Sequence, residues 1–220
     1  MAPDVKTEAR TEILRRIAAA NGGRPLSREA VEEAWDRLPR RYRRSDEASE
    51  VEVLALLQHR LRDYGAYVEV CPSAEVAGAV AARLRRRGVR LIALPTGFPQ
   101  VWLPSGFEFL QEERIDLSAL ARCQGVLTGA TVAIAETGTL VLQGVPGQGR
   151  RATTLVPDYH LCVVRTADIV RTVPETLLRL DATKTLPTTF VSGPSATADI
   201  EMTRIQGVHG PRVLDVLLVG

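Results

Sequence analysis

The chain has 220 residues, 45% of them hydrophobic, and its 28 basic and 26 acidic side chains leave a net charge of +2. That length and apolar content suffice for a sizeable core and point to a globular chain. The near balance of charge argues against a protein that grips nucleic acid through bulk positive potential.

The first ten residues, MAPDVKTEAR, carry early charges and no apolar segment of the secretory type, and no apolar run approaches the roughly 20 residues that span a bilayer. The expected location is cytoplasmic. Residues 7–65 read as three helices: one closing at Gly22 and Gly23, one opening on Ser27 and ending before Pro39, and one opening on Ser45 with acids in its first turn. Residues 1–65 are therefore expected as a helical extension and 66–220 as an α/β domain. Two basic runs, Arg40, Arg41, Arg43 and Arg44, then Arg83, Arg85, Arg86, Arg87 and Arg90, read as solvated helix faces, since neither is flanked by a nucleic-acid motif.

After Gly65 the pattern changes. AYVEVC reads as a strand, SAEVAGAVAARLRRRG as a helix from Ser73 to Gly88, and VRLIALP as a parallel strand, which together form a βαβ unit. The stretch TGFPQVWLPSGFEFLQEERID reads as a loop with a short strand, with Trp102 and Phe107 as packing residues. Residues 130–135 and 139–142 read as a hairpin, with Gly138 supplying positive φ at its turn. Then come a strand YHLCVV, a helix TADIVRTVPETLLRLD, a strand TTFVSG, a helix TADIEMTRIQG and a last strand RVLDVLLVG. Cys71, Cys123 and Cys162 are odd in number and far apart, which fits neither a disulfide framework nor a cluster site of four thiolates.

Three stretches could carry chemistry. VSGPSATADIEMTRIQGVHGP, residues 191–211, places a loop between a strand and an expected helix, the position where open α/β sheets bind ligands at unpaired helix N–H groups. Gly193 allows close approach, Ser195 or Thr197 can cap, and Asp199 and Glu201 either steady the helix dipole or face the ligand. His209 reads as a loop histidine held between glycines. In AETGT, Glu136 at the turn is a candidate base or nucleophile flanked by Thr137, Gly138 and Thr139, or else a solvated turn residue. In GVPGQGRRATT, Arg150 and Arg151 suit a carboxylate or phosphate; the stretch lacks the ending of a phosphate-binding loop and reads equally as a mobile surface loop. His59, His160 and His209 occur at no metal-ligand spacing.

Three motifs, TGATVAIAETGTLVL, LVPDYHLCVV and GPSATADIEMTRIQGVHGPRVLDVLLVG, resemble the lactate-utilization protein C family, whose members carry the LUD domain. The resemblance covers residues 45–220 and extends loosely to the N-terminal helices. It implies a Rossmann-like, mostly parallel sheet with an antiparallel section, similar to the sugar-phosphate isomerase and CoA-transferase group. It also implies a part in oxidising L-lactate to pyruvate beside two iron-sulfur partner proteins, with no cofactor bound by this chain itself. By analogy with the glutamate of CoA transferases, Glu136 becomes the suspected catalytic residue, with Thr137, Gly138, Thr139, Arg150, Arg151, Gly193, Ser195, Thr197, Asp199 and Glu201 expected to bind a small carboxylate. The alternative is a stand-alone isomerase or acyl-transfer enzyme that uses Glu136 on a phosphorylated or CoA-linked substrate. A third reading has the N-terminal helices docking to a partner.

Overall fold

The computed structural model describes residues 5–23, 27–43, 45, 47–197, 205–206 and 210–220. The chain divides into two compact units, residues 1–42 and 43–220. In the first, α1 (Val5–Ala20) is followed by α2 (Arg28–Asp36), whose N-terminus is capped as expected, the Ser27 hydroxyl accepting from the Ala30 amide at 3.2 Å.

In the second unit α3 (Glu50–Asp63) starts at Ser49 and not at Ser45. Ser49 accepts from the Glu52 amide while the Glu52 carboxylate accepts from the Ser49 amide at 2.8 Å, a reciprocal cap that Ser45 has no partner to form. The chain then runs through β1 (Tyr67–Cys71), α4 (Val76–Arg87), β2 (Leu91–Leu94), β3 (Glu108–Gln111), α5 (Leu117–Arg122), β4 (Gly125–Gly129), β5 (Val132–Ile134) and β6 (Thr139–Gln143). It continues with β7 (Tyr159–Arg165), β8 (Ile169–Val170), α6 (Val173–Leu180), β9 (Thr188–Val191), β10 (Ala196–Thr197), β11 (Ile205–Gln206) and β12 (Val213–Val219).

Six strands form an all-parallel sheet in the order β1-β12-β7-β4-β2-β3. A second, mixed sheet has the order β8-β5-β6-β9, with the expected hairpin of β5 and β6 at its centre. The α/β class with an added antiparallel section therefore holds.

Two helix expectations are corrected. The span 166–181 contains a short 3-10 turn, then β8, and only then α6, because Thr172 and Glu175 form a second reciprocal cap and Pro174 fits the first helical turn. At the two described ends of residues 197–207, Thr197 pairs with Ile205 and Ala196 with Gln206 as antiparallel strands. Thr and Ile are β-branched and favour that pairing over a helix. The helix α5 had no counterpart in the sequence reading; the Asp116 carboxylate caps it by accepting from the Ala119 amide at 2.7 Å.

Strand alternation divides the core. From β12, Leu217 and Val219 pack with Val76, Val80 and Leu84 of α4 on one face of the parallel sheet. Leu214, Val216 and Leu218 pack on the other, with Leu57 and Leu61 of α3 and Leu140 and Leu142 of the mixed sheet. Each fully buried leucine contributes about 1.5–3 kcal/mol.

Asp215 falls on the α4 face and is fully buried. Its Oδ2 accepts from Arg83 Nε at 2.9 Å and Nη2 at 2.8 Å and from the Tyr159 hydroxyl at 2.9 Å, while Oδ1 accepts from Arg87 Nη2 at 2.7 Å. The Arg83 guanidinium also lies 3.4 Å from the centre of the Tyr67 ring. Burial, and then the neighbouring Asp215 charge, push the Tyr159 hydroxyl far above its ordinary pKa, so it stays protonated and donates. The second basic run is thus a solvated face with one exception: Arg85, Arg86 and Arg90 are exposed, Arg87 is exposed but reaches Asp215 from the edge, and Arg83 alone is buried, because an aspartate in the middle of β12 needs compensation.

Removing that aspartate leaves a buried arginine with no counter-charge. Asp215→Ala is expected to lower unfolding free energy by about 3–5 kcal/mol, measured as a shift of the urea midpoint; a shift below about 1 kcal/mol would show that the cluster contributes little net stability.

Candidate functional site

The mixed sheet and the start of β12 enclose a pocket of about 230 Å³, bordered by Arg151, Thr154, His160, residues 190–196, Gly210, Pro211 and Leu214. Three of the residues expected at a ligand site, Arg151, Gly193 and Ser195, meet there. Arg151 stands at its exposed rim, where Nη1 donates to Thr154 Oγ1 at 3.1 Å. Among the described residues it has no carboxylate partner. A guanidinium so placed keeps most of its donors for a ligand.

His160 contributes the floor. It lies in β7 on the face opposite Tyr159 and is 1% exposed. Its Nε2 is 2.7 Å from Thr128 Oγ1 of β4, and no described residue partners its Nδ1. Burial holds its pKa down at about 4, so the imidazole is neutral at physiological pH. The neighbouring Cys162 thiol is pushed up to about 12 by burial, against a smaller lowering by the Thr128 hydroxyl, and so remains an unreactive thiol.

Gly193 occupies its place for packing. Its φ is 88°, and an added Cβ would lie 2.6 Å from the Tyr64 side chain at the end of α3. Gly138 does the same at the hairpin turn, with φ 60° and an added Cβ 2.8 Å from Arg60 Cβ. The close approach expected of Gly193 is thus an approach to α3. Ser192, between the two contacts, hydrogen bonds Thr139 through hydroxyls 2.7 Å apart, and Thr139 meets Thr137 at 2.8 Å. Thr137, Gly138 and Thr139 therefore brace the pocket wall from behind.

Glu136 lies outside the pocket. Its carboxylate is paired with the Arg43 guanidinium and lies 3.5 Å from Arg171 Nε, and its amide donates to the Arg171 carbonyl at 3.0 Å. Arg150 also turns away: its Nε donates to Glu112 at 3.0 Å and its Nη2 to the Ile115 carbonyl at 2.8 Å, and Thr153 donates to the same buried Glu112. Thr197 sits in β10; Asp199, Glu201 and His209 lie outside the described residues. The expected helix N-terminus is not formed at Ala196 and Thr197, which are strand residues, so the pocket gains no helix donors from them.

Nor is the stretch 144–149 a mobile surface loop. The Gly147 amide donates to the Thr96 carbonyl at 2.7 Å and the Gly129 amide to the Gly147 carbonyl at 2.8 Å, fastening it to the ends of β2 and β4. Gln148 is buried and its side-chain oxygen accepts from the Gln143 amide at 2.7 Å. This clamp delivers Arg151 to the rim.

Residues 50–219 match the family model described as the LUD domain. The chain belongs to the LUD domain family. It is 44% identical over 175 residues to Lactate utilization protein C of Deinococcus radiodurans, covering 78% of this chain and 82% of that one. A second relative of that name, from Halalkalibacterium halodurans, is 37% identical over 91 residues, or 39% of each chain. Among solved structures, a DUF162 family protein from Deinococcus radiodurans superposes with a TM-score of 0.69 at 40% identity, covering 79% of this chain and 99% of the other.

Within this LUD domain the sequence reading did not single out Thr154, Ser192 or Gly210, and weighed His160 only as a metal ligand. His160 did leave a trace, as one ring-bearing polar residue inside the apolar run YHLCVV, where a strand buried on both faces has no solvent to offer it.

The same burial gives the domain a pH signature. The folded-state pKa of His160 lies near 4, below the ordinary value of 6.5, so between those values the unfolded chain binds more protons and stability falls as pH falls. Unfolding free energy is expected to drop by up to about 3 kcal/mol from pH 7 to pH 4 on this account, and His160→Gln, which cannot titrate, should flatten that part of the curve. Urea titrations at half-unit intervals test it; parallel curves for both proteins would exclude His160 as the source.

Proposed function

We propose that this chain is a non-redox subunit of a lactate-oxidising system and that its pocket holds a small carboxylate at Arg151. Membership of the LUD domain family and the resemblance to proteins named for lactate utilization support the setting. One observation carries the site: among the described residues, a guanidinium without a carboxylate partner stands at the rim of a pocket whose other polar side chains are hydroxyls and a neutral imidazole. A small carboxylate completes that arrangement with charge-assisted hydrogen bonds, and the pocket size suits an acid of a few carbons.

The three buried cysteines carry no disulfide and are too few for a cluster of four thiolates. On this reading electrons taken from L-lactate pass through two iron-sulfur partner proteins, and this chain contributes binding in the cytoplasm. Glu136, charge-paired with two arginines, ties the hairpin turn to Arg43 and to the start of α6. That role supports the subunit reading over acyl transfer, which needs an accessible and unneutralised nucleophile.

The test is L-lactate-dependent dye reduction by this chain, by its two presumed partners, and by all three together. Activity is expected only in the full mixture, with Arg151→Ala binding the carboxylate at least about tenfold more weakly in a calorimetric titration. Full activity of the partners without this chain, or an Arg151→Ala affinity equal to the parent's, would overturn the corresponding half of the reading.

A further inference from the structure

The pocket at Arg151 lies where β7 and β12 begin, since His160 and Leu214 are the second residues of their strands. In open α/β sheets ligands bind at the opposite end, beyond the carboxyl ends of the strands, where neighbouring strands send their connections in opposite directions. Here that point falls between β2 and β4. The chain leaves β2 outward to β3, then returns to β4 and proceeds the other way to β7 and β12. A second cavity, of about 200 Å³, occupies this point, bordered by Gly97 after β2, Gly129 at the end of β4 and Arg165 at the end of β7. Arg165 stands roughly 16 Å beyond His160 along an extended strand, and the two cavities share no bordering residue.

The cavity is rigidly built. Gly97 has φ 85° and an added Cβ there would lie 2.4 Å from Pro146 Cβ, while Gly147 is bonded through its amide to Thr96 and through its carbonyl to Gly129. The Arg165 guanidinium lies 5.6 Å from the centre of the Trp102 ring, which meets Phe98 edge to face at 5.9 Å, so a buried aromatic pair sets its direction. Asp168 borders the same cavity from the turn that follows β7. Among the described residues neither Arg165 nor Asp168 has an ion-pair partner, and the two do not pair with each other.

We propose that this cavity binds a small zwitterion, a free α-amino acid whose carboxylate meets Arg165 and whose ammonium group meets Asp168. A guanidinium and a carboxylate held apart at one cavity are complemented by a ligand that carries both charges. A phosphate dianion satisfies Arg165 and is repelled by Asp168; a simple amine does the reverse. Glycines at three of its borders, Gly97, Gly129 and Gly147, let the ligand lie against backbone, and the volume suits a short side chain. The site does not depend on the carboxylate at Arg151.

Trp102 borders the cavity and the chain has two tryptophans, so the Trp102 indole N–H resonance, assigned with Trp35→Phe, reports on this site. Glycine, L-alanine and L-serine are titrated into the full chain, with propionate, ethylamine and inorganic phosphate as controls that carry charge of one sign only. At least one amino acid is expected to shift the resonance saturably and to bind at least about fivefold more tightly than every control. An acid held at Arg151, at the other end of β7, leaves the resonance unmoved. Arg165→Gln and Asp168→Asn, both at solvent-accessible positions, should each weaken amino-acid binding at least about fivefold. A control that binds as tightly as the amino acids, or amino-acid binding that survives both substitutions, overturns the zwitterion assignment. No saturable shift with any of the three amino acids removes the site and leaves the carboxylate at Arg151 untouched.

Discussion

A carboxylate with no exposure to water, in the middle of a parallel sheet, has to be neutralised before anything around it can pack. Asp215 is met by Arg83, Arg87 and Tyr159, two groups from α4 and one from the neighbouring strand. Because side chains alternate along a strand, fixing Asp215 and Tyr159 on the α4 face fixes Leu214 and His160, one residue away in each strand, on the opposite face. Leu214 and His160 are register partners and both border the pocket. A one-residue slip would place a histidine in the α4 core and an aspartate in the pocket floor. The buried ion cluster thus acts as a register lock, a use of buried charge that does not require it to add net stability.

The pocket walls are held by different means. On one side α3 presses Arg60 and Tyr64 onto Gly138 and Gly193, close enough that neither position has room for a Cβ, and the hydroxyls of Thr139 and Ser192 join the two contacts. On the other side the 144–149 stretch is fastened to the strand ends by backbone hydrogen bonds and by the buried Gln148. Arg150 is consumed in securing that side through Glu112, and its neighbour Arg151 is thereby left at the rim. Adjacent arginines of identical chemistry so acquire opposite roles.

That division could not be read from the sequence. The alternation of strand and helix after Gly65, the hairpin around Gly138 and the terminal strand were legible because each follows from hydrophobic period and turn chemistry. The start of α3 was misplaced because Ser45 and Ser49 are both followed by acids, and only Ser49 has a glutamate three residues on. Arg83 and Arg87 looked solvated because their partner lies 132 and 128 residues away in the chain. The pairing of Thr197 with Ile205 was hidden by a stretch whose acids imitate a helix start. Of the proposed site residues, Arg151, Gly193 and Ser195 could be found from local motifs, whereas His160 could not, since its significance depends on Thr128 from another strand.

The pairing of an exposed arginine with a buried neutral histidine has an electrostatic logic. A second positive charge at the pocket floor would hold any anion by Coulomb attraction and would distinguish acids poorly, since every carboxylate carries the same charge. Burial keeps His160 uncharged, so the attraction is confined to Arg151 at the rim, where solvent moderates it.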